Sequence, residues 1–81
     1  MAKQVLIVDD SALVRKQLTE IIATLDFEIE IAKNGQEAVD KATNKQYDII
    51  TMDINMPVMD GIRAVEIIMQ EKPTAILMMQ K

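Results

Sequence analysis

Two apolar runs of strand length stop at aspartate, and this constrains the chain more than any other feature. Val5-Leu6-Ile7-Val8 runs into Asp9-Asp10, and the stretch from Tyr47 to Met52 runs into Asp53. A short apolar run without alternation suits a strand buried on both faces, as in a parallel sheet. Parallel neighbours need a long crossover, usually a helix, and the intervening residues supply one. Val14, Leu18, Ile21, Ile22 and Leu25 recur at helical spacing after Ser11, a residue suited to cap that helix. Phe27-Glu28-Ile29-Glu30-Ile31 alternates strictly, the pattern of a half-exposed strand at a sheet edge. Asn34-Gly35 signals a turn and a helix entry, and Ala38, Val39 and Ala42 give the second helix a thin apolar stripe. A loop from Asp53 to Gly61 holds Pro57, and Asp60 suits the cap of a third helix. Its expected buried positions are Ile62, Val65, Ile68 and Met69. Lys72-Pro73 stops that helix, and Thr74 to Met79 reads as a fourth strand.

Strands alternating with helices predict an open α/β domain with a parallel sheet and right-handed crossovers. Ligands of such sheets bind beyond the carboxyl ends of the strands. At 81 residues the chain amounts to one small domain, residues 1–81, and 49% apolar against 27% charged residues is a globular balance. With no Cys, disulfide scaffolds, thiolate metal sites and Cys nucleophiles are excluded. With no His, His-based triads, His-ligated metals and a phosphohistidine on this chain are excluded. The net charge of −4, scattered Lys and Arg, and only Phe27 and Tyr47 as aromatics argue against a nucleic-acid partner. No run approaches the roughly 18 apolar residues of a membrane helix, and the first is too short for a signal-peptide core. A cytoplasmic protein with no membrane partner is expected.

If the third strand lies beside the first, Asp9, Asp10 and Asp53 converge at one crevice. Carboxylates so close repel, and they require protonation or a cation. Hard oxygen donors with room for water suit Mg²⁺, which can stabilise charge on a transferring phosphoryl group. The alternative is that these residues only form turns and caps after a strand. Arg15 and Lys16 lie one turn beyond the acids, and a solvated helix face is the expected role for both. Glu28 and Glu30 are expected to form an exposed strand face that discourages edge pairing.

The residues Val5 to Ser11, Asp48 to Asp53 and Asn55-Met56-Pro57-Val58-Met59-Asp60-Gly61 resemble the receiver domain of two-component response regulators. The resemblance runs from Lys3 to Met79. Its flavour, with Asp9-Asp10-Ser11-Ala12 and Pro73 to Met79, is most similar to receivers of chemotaxis methylesterases and related chemotaxis regulators. It implies a flavodoxin-like, receiver-like sheet in the order 2-1-3-4. It also implies a phosphoacceptor signalling domain rather than a turnover enzyme. Asp53 matches the phosphoacceptor, phosphorylated by a partner histidine kinase or a small phosphodonor. Asp10 matches the direct Mg²⁺ ligand, Asp9 a water-mediated one, and Asn55 the residue that lends its backbone carbonyl to the metal.

The family's pattern continues through a fifth strand and two more helices, whereas this sequence stops after four strands and three helices. The family's switch Thr or Ser falls where Gln80 stands, and its phosphate-pairing Lys, from the end of strand five, has no counterpart; Lys81 lies at the wrong place in the fold. The expectation is a truncated receiver. A second reading is a structural half-receiver without phosphotransfer. Ile49, Ile50, Ile76, Leu77, Met78 and Met79 make strands three and four apolar on both faces, and one face lacks the family's fifth helix. Such a chain is expected to form a homodimer, by face packing somewhat more than by edge pairing, with exchange of an element as the alternative. A metal-dependent phosphatase of another α/β family is disfavoured, because Ser11 stands where such enzymes usually carry a second Asp.

Overall fold

The computed structural model describes residues 2–56 and 58–79. In chain order the elements are β1 (Lys3–Val8), α1 (Ala12–Ala23), β2 (Phe27–Ala32), α2 (Gly35–Asn44), β3 (Ile49–Asp53), α3 (Gly61–Glu71) and β4 (Ala75–Met79). The strands form one parallel sheet in the order β2-β1-β3-β4, as expected. The interior position of β1 accounts for its unbroken apolar run, since Val5, Leu6, Ile7 and Val8 are all fully buried.

Alternation divides the inner strands between two layers. Leu6, Val8, Ile50 and Met52 pack with Ala38, Val39 and Ala42 of α2 and Ala64 and Ile68 of α3 in one core cluster. On the other face α1 lies over β1 and β2. Here the structure departs from the expected stripe. No residue of α1 is fully buried, and Val14, Leu18 and Ile22 are half-buried. Leu13 and Ile21 stand 64% and 62% exposed, and Leu25, just past the helix, is exposed too. Leu13 and Ile21 each precede a half-buried residue by one position, a turn of about 100° that carries them off the contact face.

α3 differs as well. Ala64 and Ile68 are buried with Gly61, Val65 is half-buried, and Ile62 and Met69 are exposed. Ile62 and Met69 each follow a buried residue by one position, a turn of about 100° that carries them off the contact face. Apolar periodicity alone did not distinguish them from the small residues at the close contact.

The helix starts follow the expected caps. Ser11 Oγ accepts from the Val14 N–H, Asn34 Oδ1 from Glu37, and Asp60 Oδ1 from Arg63. Asp26, beyond the end of α1, has φ of 61°, a left-handed conformation that Asp tolerates better than most residues. On the edge strand β2, Glu30 does more than face solvent. It accepts from Lys45 Nζ at 2.7 Å and from the Tyr47 hydroxyl at 3.1 Å. The Lys45 hydrogen bond holds the Glu30 carboxyl below its usual range. Burial, then the Glu30 hydrogen bond, pushes the Tyr47 hydroxyl up to about 12. Tyr47 thus precedes β3 rather than opening it, as a buried brace between the sheet and its edge. Pro57 and Gln80-Lys81 lie outside the described residues.

Candidate functional site

The register fixes the acids. Val8 pairs with Met52, so Asp9 and Asp53 each come one residue later on adjacent strands, at the carboxyl end of the sheet. Both are 1% exposed, while Asp10 is exposed. One carboxylate oxygen from each of Asp9, Asp10 and Asp53 lies within 4.8 Å of the others. The three acids expected to converge are therefore brought together.

The backbone holds the two buried acids in the same way. The Ser11 N–H donates to Asp9 Oδ1 at 2.9 Å, and the Asn55 N–H donates to Asp53 Oδ1 at 3.2 Å. In both cases an amide two residues on accepts part of the task of solvating a buried charge. Asp9 is tied further by its own N–H to the Ala32 carbonyl, at 3.1 Å. Arg15, read from the sequence as a solvated helix residue, instead donates from Nη1 to the Asp9 carbonyl at 2.7 Å. Its position one turn into α1 was the available signal; its rotamer was not legible.

Two glycines let backbones meet at the rim. A β-carbon on Gly61 would stand 2.9 Å from Ile54 Cα and closer still to the Asp53 carbonyl oxygen. The Gly61 N–H donates to the Ile54 carbonyl at 2.9 Å, so α3 begins against the strand end that carries Asp53. A β-carbon on Gly35 would stand 2.8 Å from Met59 Cβ and closer to the Met59 carbonyl, so the entry to α2 abuts the β3–α3 loop. The Ile54 N–H donates to the Met79 carbonyl at 3.1 Å, joining the end of β4 to the same loop.

Three carboxylates at this spacing form a hard, all-oxygen donor set. That chemistry fits Mg²⁺, which takes oxygen ligands and tolerates few protein carboxylates beside its waters.

A parallel 2-1-3-4 sheet carrying this acidic triad at its carboxyl end defines a receiver-type signalling fold. Residues 5–80 match the response regulator receiver domain family, and the chain belongs to that family. Archaeoglobus fulgidus has a protein-glutamate methylesterase/protein-glutamine glutaminase that is 51% identical over 77 residues, covering 94% of this chain and 22% of the relative. The response regulator domain of Thermotoga maritima CheB superposes with a TM-score of 0.92 at 44% identity, covering 99% of this chain and 61% of that one. A CheX-CheY-BeF3-Mg²⁺ complex from Borrelia burgdorferi contains a chain with a TM-score of 0.91 at 44% identity, covering 96% of this chain and 61% of that one. The chain thus spans about a fifth of the curated relative's length.

Proposed function

We propose that the chain, as a single receiver domain over residues 1–81, is the phosphoacceptor of a cytoplasmic two-component chemotaxis regulator. The observation that carries this is the buried Asp53 carboxylate grouped with Asp9 and Asp10 at the end of the sheet. An Asp53 carboxylate oxygen attacks the phosphorus of a partner kinase's phosphohistidine. The new O–P bond forms as the P–N bond breaks, and the imidazole nitrogen leaves with the electron pair. Asp9, Asp10, Asp53 and the Asn55 backbone carbonyl hold Mg²⁺, which when bound supplies charge stabilisation at the transferring phosphoryl group. The Ser11 and Asn55 amides keep the buried carboxylates oriented. Incubation with Mg²⁺ and acetyl phosphate is expected to add one phosphoryl mass to the intact chain, and chelation of Mg²⁺ to prevent it. An unchanged mass with Mg²⁺ present would refute the reading.

Asp10→Ala is expected to weaken Mg²⁺ binding on the order of tenfold or more, a larger loss than Asp9→Ala. The resemblance makes Asp10 the direct ligand and Asp9 a water-mediated one, so the loss of Asp10 removes the closer contact. A Mg²⁺ titration followed by amide shifts at residues 9–11 and 53–55 ranks the two variants.

A second reading concerns the surface. Leu13 and Ile21 on α1 and Leu77 on β4 are each more than half exposed, and Met78 is 37% exposed. Leu77 alternates with Ile76, which packs on the α2–α3 core, and so lies on the α1 face, whereas Met78 lies on the opposite one. Exposed apolar residues favour association, and we assign to the α1 face a homodimer of the chain. Sedimentation at micromolar concentration is expected to give a mass near twice 9.1 kDa. A single 9.1 kDa species across a hundredfold range, about two decades of concentration, refutes the dimer.

A further inference from the structure

The peptide between Asp9 and Asp10 is the one covalent link between two members of the acidic triad. Its plane sets ψ of Asp9 and φ of Asp10 together, and so aims both side chains. One end of the triad's scaffold is held by the sheet, since the Asp9 N–H donates to the Ala32 carbonyl. The Asp9 carbonyl lies past the last β1–β3 pair, Val8 with Met52. It is there that the Arg15 guanidinium donates, at 2.7 Å. Arg15 is half-buried, and it sits in the first turns of α1, whose start is fixed by the Ser11 cap.

We infer that Arg15 is a positioning residue for the cation site: by holding the Asp9 carbonyl it locks the Asp9–Asp10 peptide plane and with it the pair of carboxylates. This rests on the Mg²⁺ reading given above. The guanidinium is a planar, always-charged fork, well suited to reaching back a full turn and donating along one direction. The contact it makes here is to a backbone carbonyl.

A positive charge beside a cation site opposes the cation, so removing that charge should by itself tighten Mg²⁺ binding. If Arg15 positions the pair, its removal weakens binding instead, because the loss of ligand orientation outweighs the relief of repulsion. Groups that orient metal ligands without touching the metal are worth about tenfold or more in affinity. Arg15→Met keeps an apolar stem and removes both charge and donor. Arg15→Lys keeps the charge and a donor on a different head.

Mg²⁺ affinity is measured by amide shifts at residues 9–11 and 53–55 in the wild type and both variants. Thermal midpoints without metal are measured in parallel. The expected order of affinity is wild type, then Arg15→Lys, then Arg15→Met, with the last about tenfold below the first. Arg15→Met binding Mg²⁺ as tightly as the wild type, or more tightly, would overturn the inference. So would a lowered midpoint with unchanged affinity in the folded protein, which marks a purely structural residue. If the wild type itself binds no Mg²⁺, the cation reading fails. The metal-free spectra then decide about Arg15: a shift of the Asp9 carbonyl carbon and of the Asp10 amide in Arg15→Met supports the lock, and unchanged resonances there overturn it.

Discussion

Replacing Gly61 by alanine is expected to destabilise the chain by about 3 kcal/mol, against the trend of helix propensity. Gly61 is the first residue of α3, where alanine would ordinarily gain up to about 1 kcal/mol. Geometry reverses the sign. The added carbon would press on the Asp53 carbonyl and on Ile54 Cα, both backbone groups of a buried strand end. A side chain could swing aside; these atoms move only if β3 or α3 shifts. Either shift disturbs Ala64 and Ile68 in the core or the position of Asp53 itself. A small domain has a total stability of roughly 5–15 kcal/mol, so a loss of this size is visible in a single urea titration. A midpoint equal to or above that of the wild type would show that α3 can withdraw from the strand at little cost.

Asp53→Asn is expected to abolish phosphoryl uptake completely while stabilising the metal-free fold. Asparagine has nearly the same shape and keeps an acceptor for the Asn55 amide. It lacks the anionic oxygen that attacks phosphorus, so no phosphoryl mass is expected after incubation with acetyl phosphate and Mg²⁺. The same change removes one of three clustered charges, two of which are buried. Relief of that repulsion should raise stability by about 1 kcal/mol without a divalent cation, and the gain should shrink as Mg²⁺ is added to the wild type. Uptake retained in the variant would move the acceptor to another residue, and a lower metal-free stability would mean that the carboxylates are not in net repulsion.

The order of elements and the acidic triad were legible because each rests on a local pattern in the chain. Val5 to Val8 are apolar throughout, as suits a strand buried on both faces, and β1 is interior. Asp9, Asp10 and Asp53 stand at the ends of strands that become neighbours, so the crevice follows from the strand order. What the sequence left hidden depends on rotation and reach. Ile62 and Met69 carry the same apolar signal as Ile68, yet the buried helix face runs through Gly61 and Ala64. Ile21 fits the stripe of α1, yet it stands exposed while Leu18 and Ile22 are half-buried. Arg15 and Glu30 looked like solvated charges, because no local pattern tells where a long side chain or a distant Lys45 and Tyr47 will meet them.

The meeting of Gly35 with Met59 makes the rim of the crevice stiff in one direction. Two separate crossover loops touch there without an intervening side chain that could yield. A few tenths of an ångström of travel toward α2 by the β3–α3 segment therefore cannot be absorbed by a rotamer change, because close-packed backbone transmits displacement rather than damping it. The entry of α2 must move with it, and a perturbation that begins beside Asp53 arrives at a helix that carries none of the three triad carboxylates. Restoring a damping element at that point, or enlarging the gap, would uncouple the two loops while leaving every carboxylate in place.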